Sequence, residues 1–135
     1  MNASLLEAKP SSPVALRTRA HKFGGSSLAD AGRIRHVADL LLAADEPAQV
    51  TVVSAMQGVT DALIGLADAA TAARDWRPAL LALRQRHLDT ARALLDEDTD
   101  DLQAWLEAQF EQLSGLLQAT AVLGAPGRPA FERIQ

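Results

Sequence analysis

The segment His21-Lys22-Phe23-Gly24-Gly25-Ser26-Ser27-Leu28-Ala29-Asp30 sets a lysine at the end of a short strand, two glycines and two hydroxyls in the turn, and an amphipathic helix after it. Strand, glycine turn and helix N-terminus in that order make an anion site. The glycines let backbone N–H groups approach an oxyanion with no Cβ in the way, and the helix dipole adds partial positive charge. Lys22 adds a mobile full charge beside them. The chemistry this favours is phosphate binding, and with it phosphoryl transfer.

The loop is not a Walker A motif, because no lysine follows the glycines and the spacing differs. Nor is it a dinucleotide fingerprint, since the third glycine is missing where the helix should pack. On spacing alone, the competing reading is a plain strand-to-helix turn with an incidental lysine.

The pattern along the chain gives the loop its setting. The first strand is expected over Leu16 to Phe23. Ser27 is the expected N-cap of the next helix, with Asp30 as its capping-box partner. That helix is expected over 28–44, with Ile34, Val37, Ala38, Leu41 and Leu42 on one face. Asp45-Glu46-Pro47 stops it. Gln49 to Ser54 is short, β-branched and almost continuously apolar, which reads as a buried parallel strand. Gly58 marks a turn, and a further helix follows over Thr60 to Arg74. The order β-α-β-α implies an α/β domain with a right-handed crossover. Both the glycine loop and the Ser54 loop follow strand C-termini, the edge where open α/β sheets bind ligands.

After Asp75 the period changes. Arg77 to Leu95 and Thr99 to Leu123 read as two long helices joined by an acidic segment, Asp96 to Asp101. Leu80, Leu83, Leu88, Ala91 and Leu95 form the apolar stripe of the first. Leu102, Trp105, Leu106, Phe110, Leu113, Leu116 and Leu117 form that of the second. Such stripes imply two helices packed together and onto a core, with a partner-binding face as the alternative. The acidic joint reads as a solvated loop and a charged helix start, with no EF-hand pattern. Gly124 to Pro129 is breaker-rich, and Ala130 to Gln135 opens a new element. Only two strands are expected, fewer than an independent sheet needs, so the chain reads as truncated.

Composition narrows the functional classes. Without cysteine there is no disulfide and no thiolate metal site, which fits a cytoplasmic protein. His21, His36 and His87 show no ligand spacing, so no metal site is expected. Residues 1–36 hold six Lys or Arg against Glu7 and Asp30, a local +4 in a chain of net charge −4. A basic start beside a glycine loop suits an anionic nucleotide. Nucleic acid is not expected, because aromatic interleaving is absent and the rest is acidic. Residues 1–15 read as a disordered leader without the apolar core of a signal peptide, and no apolar run is long enough for a membrane span.

Lys22-Phe23-Gly24-Gly25-Ser26-Ser27 resembles the opening signature of aspartokinases, in the amino acid kinase family. That signature usually reads Lys-Phe-Gly-Gly-Thr-Ser, and Ser26 keeps the hydroxyl. A second block, Val52-Val53-Ser54-Ala55-Met56-Gln57-Gly58-Val59-Thr60-Asp61, is similar to the family's second strand end and the Thr-Asp that opens its next helix. Two motifs in the right order and separation weigh far more than either alone. The run His21 to Asp30 is most similar to the bifunctional aspartokinase–homoserine dehydrogenase branch.

The resemblance implies the N-terminal part of an αβα sandwich with a largely parallel sheet, followed by a helical pair; residues 16–135 would be an incomplete catalytic domain. It implies transfer of the γ-phosphoryl group of MgATP to the side-chain carboxylate of L-aspartate, in an enzyme that is a homo-oligomer when full length. Lys22 would be the catalytic charge-stabiliser and, with Gly24, Gly25 and Ser26, would bind the phosphates. Ser54 and Thr60 would face the amino acid substrate, and Mg2+ would come with the nucleotide. Each residue keeps a plainer alternative: Lys22 a solvated strand-end lysine, Ser54 a strand terminator, Thr60 an N-cap, Asp61 and Asp68 surface carboxylates. The family's Gly-Glu loop, its later substrate-binding arginine and aspartate, and its adenine-binding portion have no counterpart up to Gln135, so the isolated chain is expected to be inactive. Two other readings stay open: a kinase for another amino acid, and a non-enzymatic helical module built on the Trp105/Phe110 stripe.

Overall fold

The computed structural model describes residues 18–44, 48–95 and 99–123. The chain runs β1 (Thr18–Phe23), a 3-10 turn (Gly25–Leu28), α1 (Ala31–Ala43), β2 (Ala48–Val53), α2 (Val59–Thr71), α3 (Arg77–Leu95) and α4 (Asp100–Leu123). It is an α/β fold, with β1 and β2 parallel and in register from Thr18↔Ala48 to Phe23↔Val53. The expected leader, the Asp45-Glu46-Pro47 stop, residues 96–98 and everything from Gly124 onward lie outside the described residues.

The glycine loop departs from expectation at its far end. Ser27 is not the cap of α1; it sits inside the 3-10 turn, donating its N–H to the Gly24 carbonyl at 3.0 Å. Asp30 is the cap, with extended backbone and a carboxylate that accepts from Arg33 N at 2.9 Å. A carboxylate reaching the third helical N–H satisfies an orphan donor and suits the dipole. The 3-10 turn takes up Leu28, and α1 begins only at Ala31. At the other end, the Gln49 side chain donates to the carbonyls of Leu41 and Ala44, at 3.3 and 3.1 Å. It thereby ties the end of α1 to β2 and satisfies acceptors that the helix cannot.

α2 begins at Gly58, whose φ of 79° is left-handed and favours glycine. Thr60 is therefore inside the first turn and not the N-cap. The same helix closes on a Schellman-type end, with Arg74 N bonded to Ala69 O at 2.8 Å and Ala73 in the left-handed region. α3 starts after Asp75, which accepts from Arg77 N, and α4 starts after buried Thr99.

The main core lies among the helices. Val59, Leu66 and Ala70 of α2, Trp76, Leu80 and Leu83 at the start of α3 and along it, and Phe110 and Leu117 of α4 form one cluster. Leu28, Val37, Leu88 and Ala91 are buried on the 3-10 turn, α1 and α3. Polar links reinforce the α3–α4 pair: a two-pronged Arg84–Glu107 ion pair, Arg77 to Gln118 at 2.8 Å, and His87 edge-on to Phe110. The hydrogen bond to Glu107 holds Arg84 above its ordinary pKa, against desolvation and with the carboxylate's charge adding to it.

Several stripe residues stay outside. Leu95, Trp105 and Leu116 are exposed, and on α1 so are Ala38 and Leu42. β2 is also not buried as its composition implies: Val50, Val52 and Val53 are 50%, 51% and 59% exposed. Its sequence suits a strand covered on both faces, yet among the described residues β1 is its only strand neighbour.

Candidate functional site

Parallel pairing brings the C-terminal ends of β1 and β2 to one edge, so the two loops that leave them are side by side. The ladder continues one step beyond the strands, with Ser54 N donating to Phe23 O at 3.1 Å. At the next position the loops touch. A Cβ on Gly25 would stand 3.3 Å from the Ala55 carbonyl oxygen and 3.4 Å from Gln57 Cα. Close backbone approach thus favours glycine at position 25, whereas Gly24 opens onto free space.

Lys22 is exposed on the last turn of the pleat, in register with Val52. Its neighbours His21 and Phe23 point to the other face and stack with ring centroids 6.4 Å apart. Among the described residues the Lys22 ammonium has no carboxylate partner. Ser26 is exposed in the 3-10 turn. Ser54 is exposed too, its hydroxyl donating to the Ala55 carbonyl at 2.9 Å, a bond that a ligand acceptor can replace. Thr60 is exposed in the first turn of α2, beside Asp61. The structure therefore joins Lys22, Gly24, Gly25, Ser26 and Ser54 at one strand edge, with Thr60 at the helix start that follows. Among the described residues, His21 Nε2 is buried without a hydrogen-bond partner.

One contributor was not anticipated from the sequence. Arg86, on α3, donates from Nη1 to Gln57 O at 2.8 Å and from Nη2 to Ala29 O at 2.9 Å. Nothing in the sequence signalled it; the structure shows it half-buried, on the helical stripe between Leu83 and Thr90.

The match to known families follows this geometry. The model of the amino acid kinase family matches residues 17–125, which span both loops and all four helices. The chain belongs to the amino acid kinase family.

It is similar to bifunctional aspartokinase/homoserine dehydrogenases named as chloroplastic. The proteins of Arabidopsis thaliana (number 2) and Zea mays (number 1) are each 35% identical over 106 residues, and that of Daucus carota is 37% identical over 108. In each case 77% of this chain is covered, and the chain spans 12% of the relative's length.

Of the helical stripe that suggested an interaction module, Phe110 and Leu117 join the core with Leu113 packed against it, whereas Trp105 and Leu116 are exposed. A groove of about 450 Å³ runs between α3 and α4 over Trp76, Leu80, Arg84, Glu107 and Phe110, and no residue of the two loops lines it. A smaller hollow of about 210 Å³ abuts the glycine loop, lined by Phe23, Ser27, Arg33, His36, Val37 and Leu40. Among the described residues no helix is long and apolar enough to cross a membrane.

Proposed function

We propose that this chain provides the phosphate-binding edge and part of the acceptor site of an aspartate kinase, which transfers the γ-phosphoryl group of ATP to the side-chain carboxylate of L-aspartate. The observation that carries the reading is the pairing of two loops at one parallel-strand edge, locked by the Ser54–Phe23 bond and the Gly25 contact, with Lys22 exposed beside them. Phosphoryl transfer depends on positioning and charge neutralisation more than on covalent help from the protein.

Each residue then has a task. Lys22 stabilises charge on the transferred and leaving oxygens. Gly24, Gly25 and Ser26 offer backbone N–H groups, and the open space over Gly24 admits an oxyanion. Ser54 and Thr60, both exposed hydroxyls on the second loop and the helix it opens, contact the amino acid. Mg2+ would enter with the nucleotide and be held mainly through its phosphates. When bound, that ion neutralises phosphate charge. The names of the relatives support aspartate as the acceptor and a homoserine dehydrogenase as companion activity; the setting proposed for them is the aspartate-derived amino acid pathway (threonine, methionine, lysine). A cysteine-free composition supports a cytoplasmic location.

The test is to trap the acyl phosphate with hydroxylamine after incubating the intact protein with ATP, Mg2+ and either aspartate or glutamate. Aspartyl hydroxamate with matching ADP release is expected. Product from glutamate alone would assign a different amino acid kinase. ADP-linked product from neither would overturn the reading.

A further inference from the structure

We propose that Arg86 is a positioning residue that clamps the two loops of the candidate site to each other and sets the direction of their backbone donors. Its planar fork divides between two carbonyls from different loops, Gln57 O and Ala29 O, at 2.8 and 2.9 Å. The strand ladder already fixes the near ends of the loops, at Ser54 and Phe23. Arg86 fixes their far ends, just before Gly58 and just before Asp30. The element that carries it is rigid, since Leu83 and Leu88 on either side are buried.

The clamp has a directional consequence. Every described peptide is trans, so C=O and N–H of one peptide unit point in opposite directions. Holding Gln57 O against the guanidinium turns the Gly58 N–H away from α3, and holding Ala29 O does the same for Asp30. Gly58 is the residue whose left-handed φ starts α2, and Arg86 Nη1 lies 3.9 Å from where its Cβ would be. An ammonium cannot replace this arrangement, because a point donor does not span two carbonyls as a planar fork does.

Charge is the second consequence. Both partners of Arg86 are neutral carbonyls, and among the described residues it has no carboxylate partner. Among the described residues no carboxylate therefore offsets the positive charge of this side chain, which bonds to both loops of the candidate anion site. Arg77, Arg84 and Arg92 of the same helix, by contrast, are each paired with a carboxylate.

The kinetic half of this inference rests on the phosphoryl-transfer reading, and the structural half does not. The experiment compares Arg86→Lys and Arg86→Gln with wild type in the intact protein, with Arg92→Gln as an α3 control. Amide exchange is followed over residues 24–30 and 54–58 and over 105–117 of α4, alongside kcat and KM for ATP. In Arg86→Lys, exchange in both loops is expected to rise about 10-fold while α4 is unchanged, with kcat down about 10-fold. Arg86→Gln also removes the charge, and kcat is expected to fall about 10²-fold, the scale of a small misplacement of reacting groups. The lysine variant thus rescues part of the loss. Unchanged loop exchange or an equal rise in α4 would overturn the clamp, and loosened loops with unchanged kcat and KM would overturn its positioning role. If wild type transfers no phosphoryl group, the exchange data still decide the clamp, and only the catalytic reading fails. If Arg86→Gln does not fold, Arg86→Lys decides alone.

Discussion

The helical half and the strand edge of this molecule are built on opposite terms. In α2, α3 and α4 the apolar stripes meet, and Leu66 and Ala70 are 1% and 0% exposed. At the strand edge Lys22, Ser26 and Ser54 are all exposed, and the valines of β2 show about half their surface. The contrast separates stability from chemistry. The helices supply a closed core that holds a frame, and the edge displays donors and a cation that a closed core would neutralise or hide. Arg86 is where the two halves communicate, rooted in the helical layer and bonded to both loops.

That division can be broken by substitution. Leu66→Ala should cost about 2–5 kcal/mol of stability in denaturant unfolding, the range for a large-to-small change at a closed site. A loss below about 1 kcal/mol would mean the helical core is not what holds the fold. Gly58→Ala places a Cβ at a left-handed φ and should cost about 1–2 kcal/mol. Because Gly58 joins the second loop to α2, its loss should also loosen residues 54–58 in hydrogen exchange. The smallest effect is expected from Val53→Thr, within about 0.5 kcal/mol, since the side chain is 59% exposed. A penalty well above that in the intact protein would show that a further element covers β2, and would redraw the comparison.

Legibility in the sequence follows the same boundary. The limits of α3 and the end of α4 were readable because their stripes repeat over many turns and punctuation brackets them. Both strands fell within one or two residues of expectation, and parallel pairing followed from the β-α-β order. Local competition was harder. Ser27 and Asp30 both make good caps, and only the 3-10 turn, with its Ser27-to-Gly24 bond, decides between them. The burial of β2 was misjudged because a strand's composition reports the neighbours it suits, not those beside it. Of the candidate site, every motif residue lay at the strand edge or the helix start beside it. Arg86 was illegible because its partners are backbone carbonyls, which leave no mark in sequence.

In the proposed function Lys22, at the end of β1, neutralises charge in phosphoryl transfer. The direct measurement is the aspartate-dependent kcat of Lys22→Ala in the intact protein, with its unfolding midpoint measured alongside. The account predicts a fall of at least about 10²-fold in kcat with the midpoint unmoved, since an exposed side chain contributes little to the fold. Near-normal turnover would contradict it and return Lys22 to the role of a solvated strand-end cation.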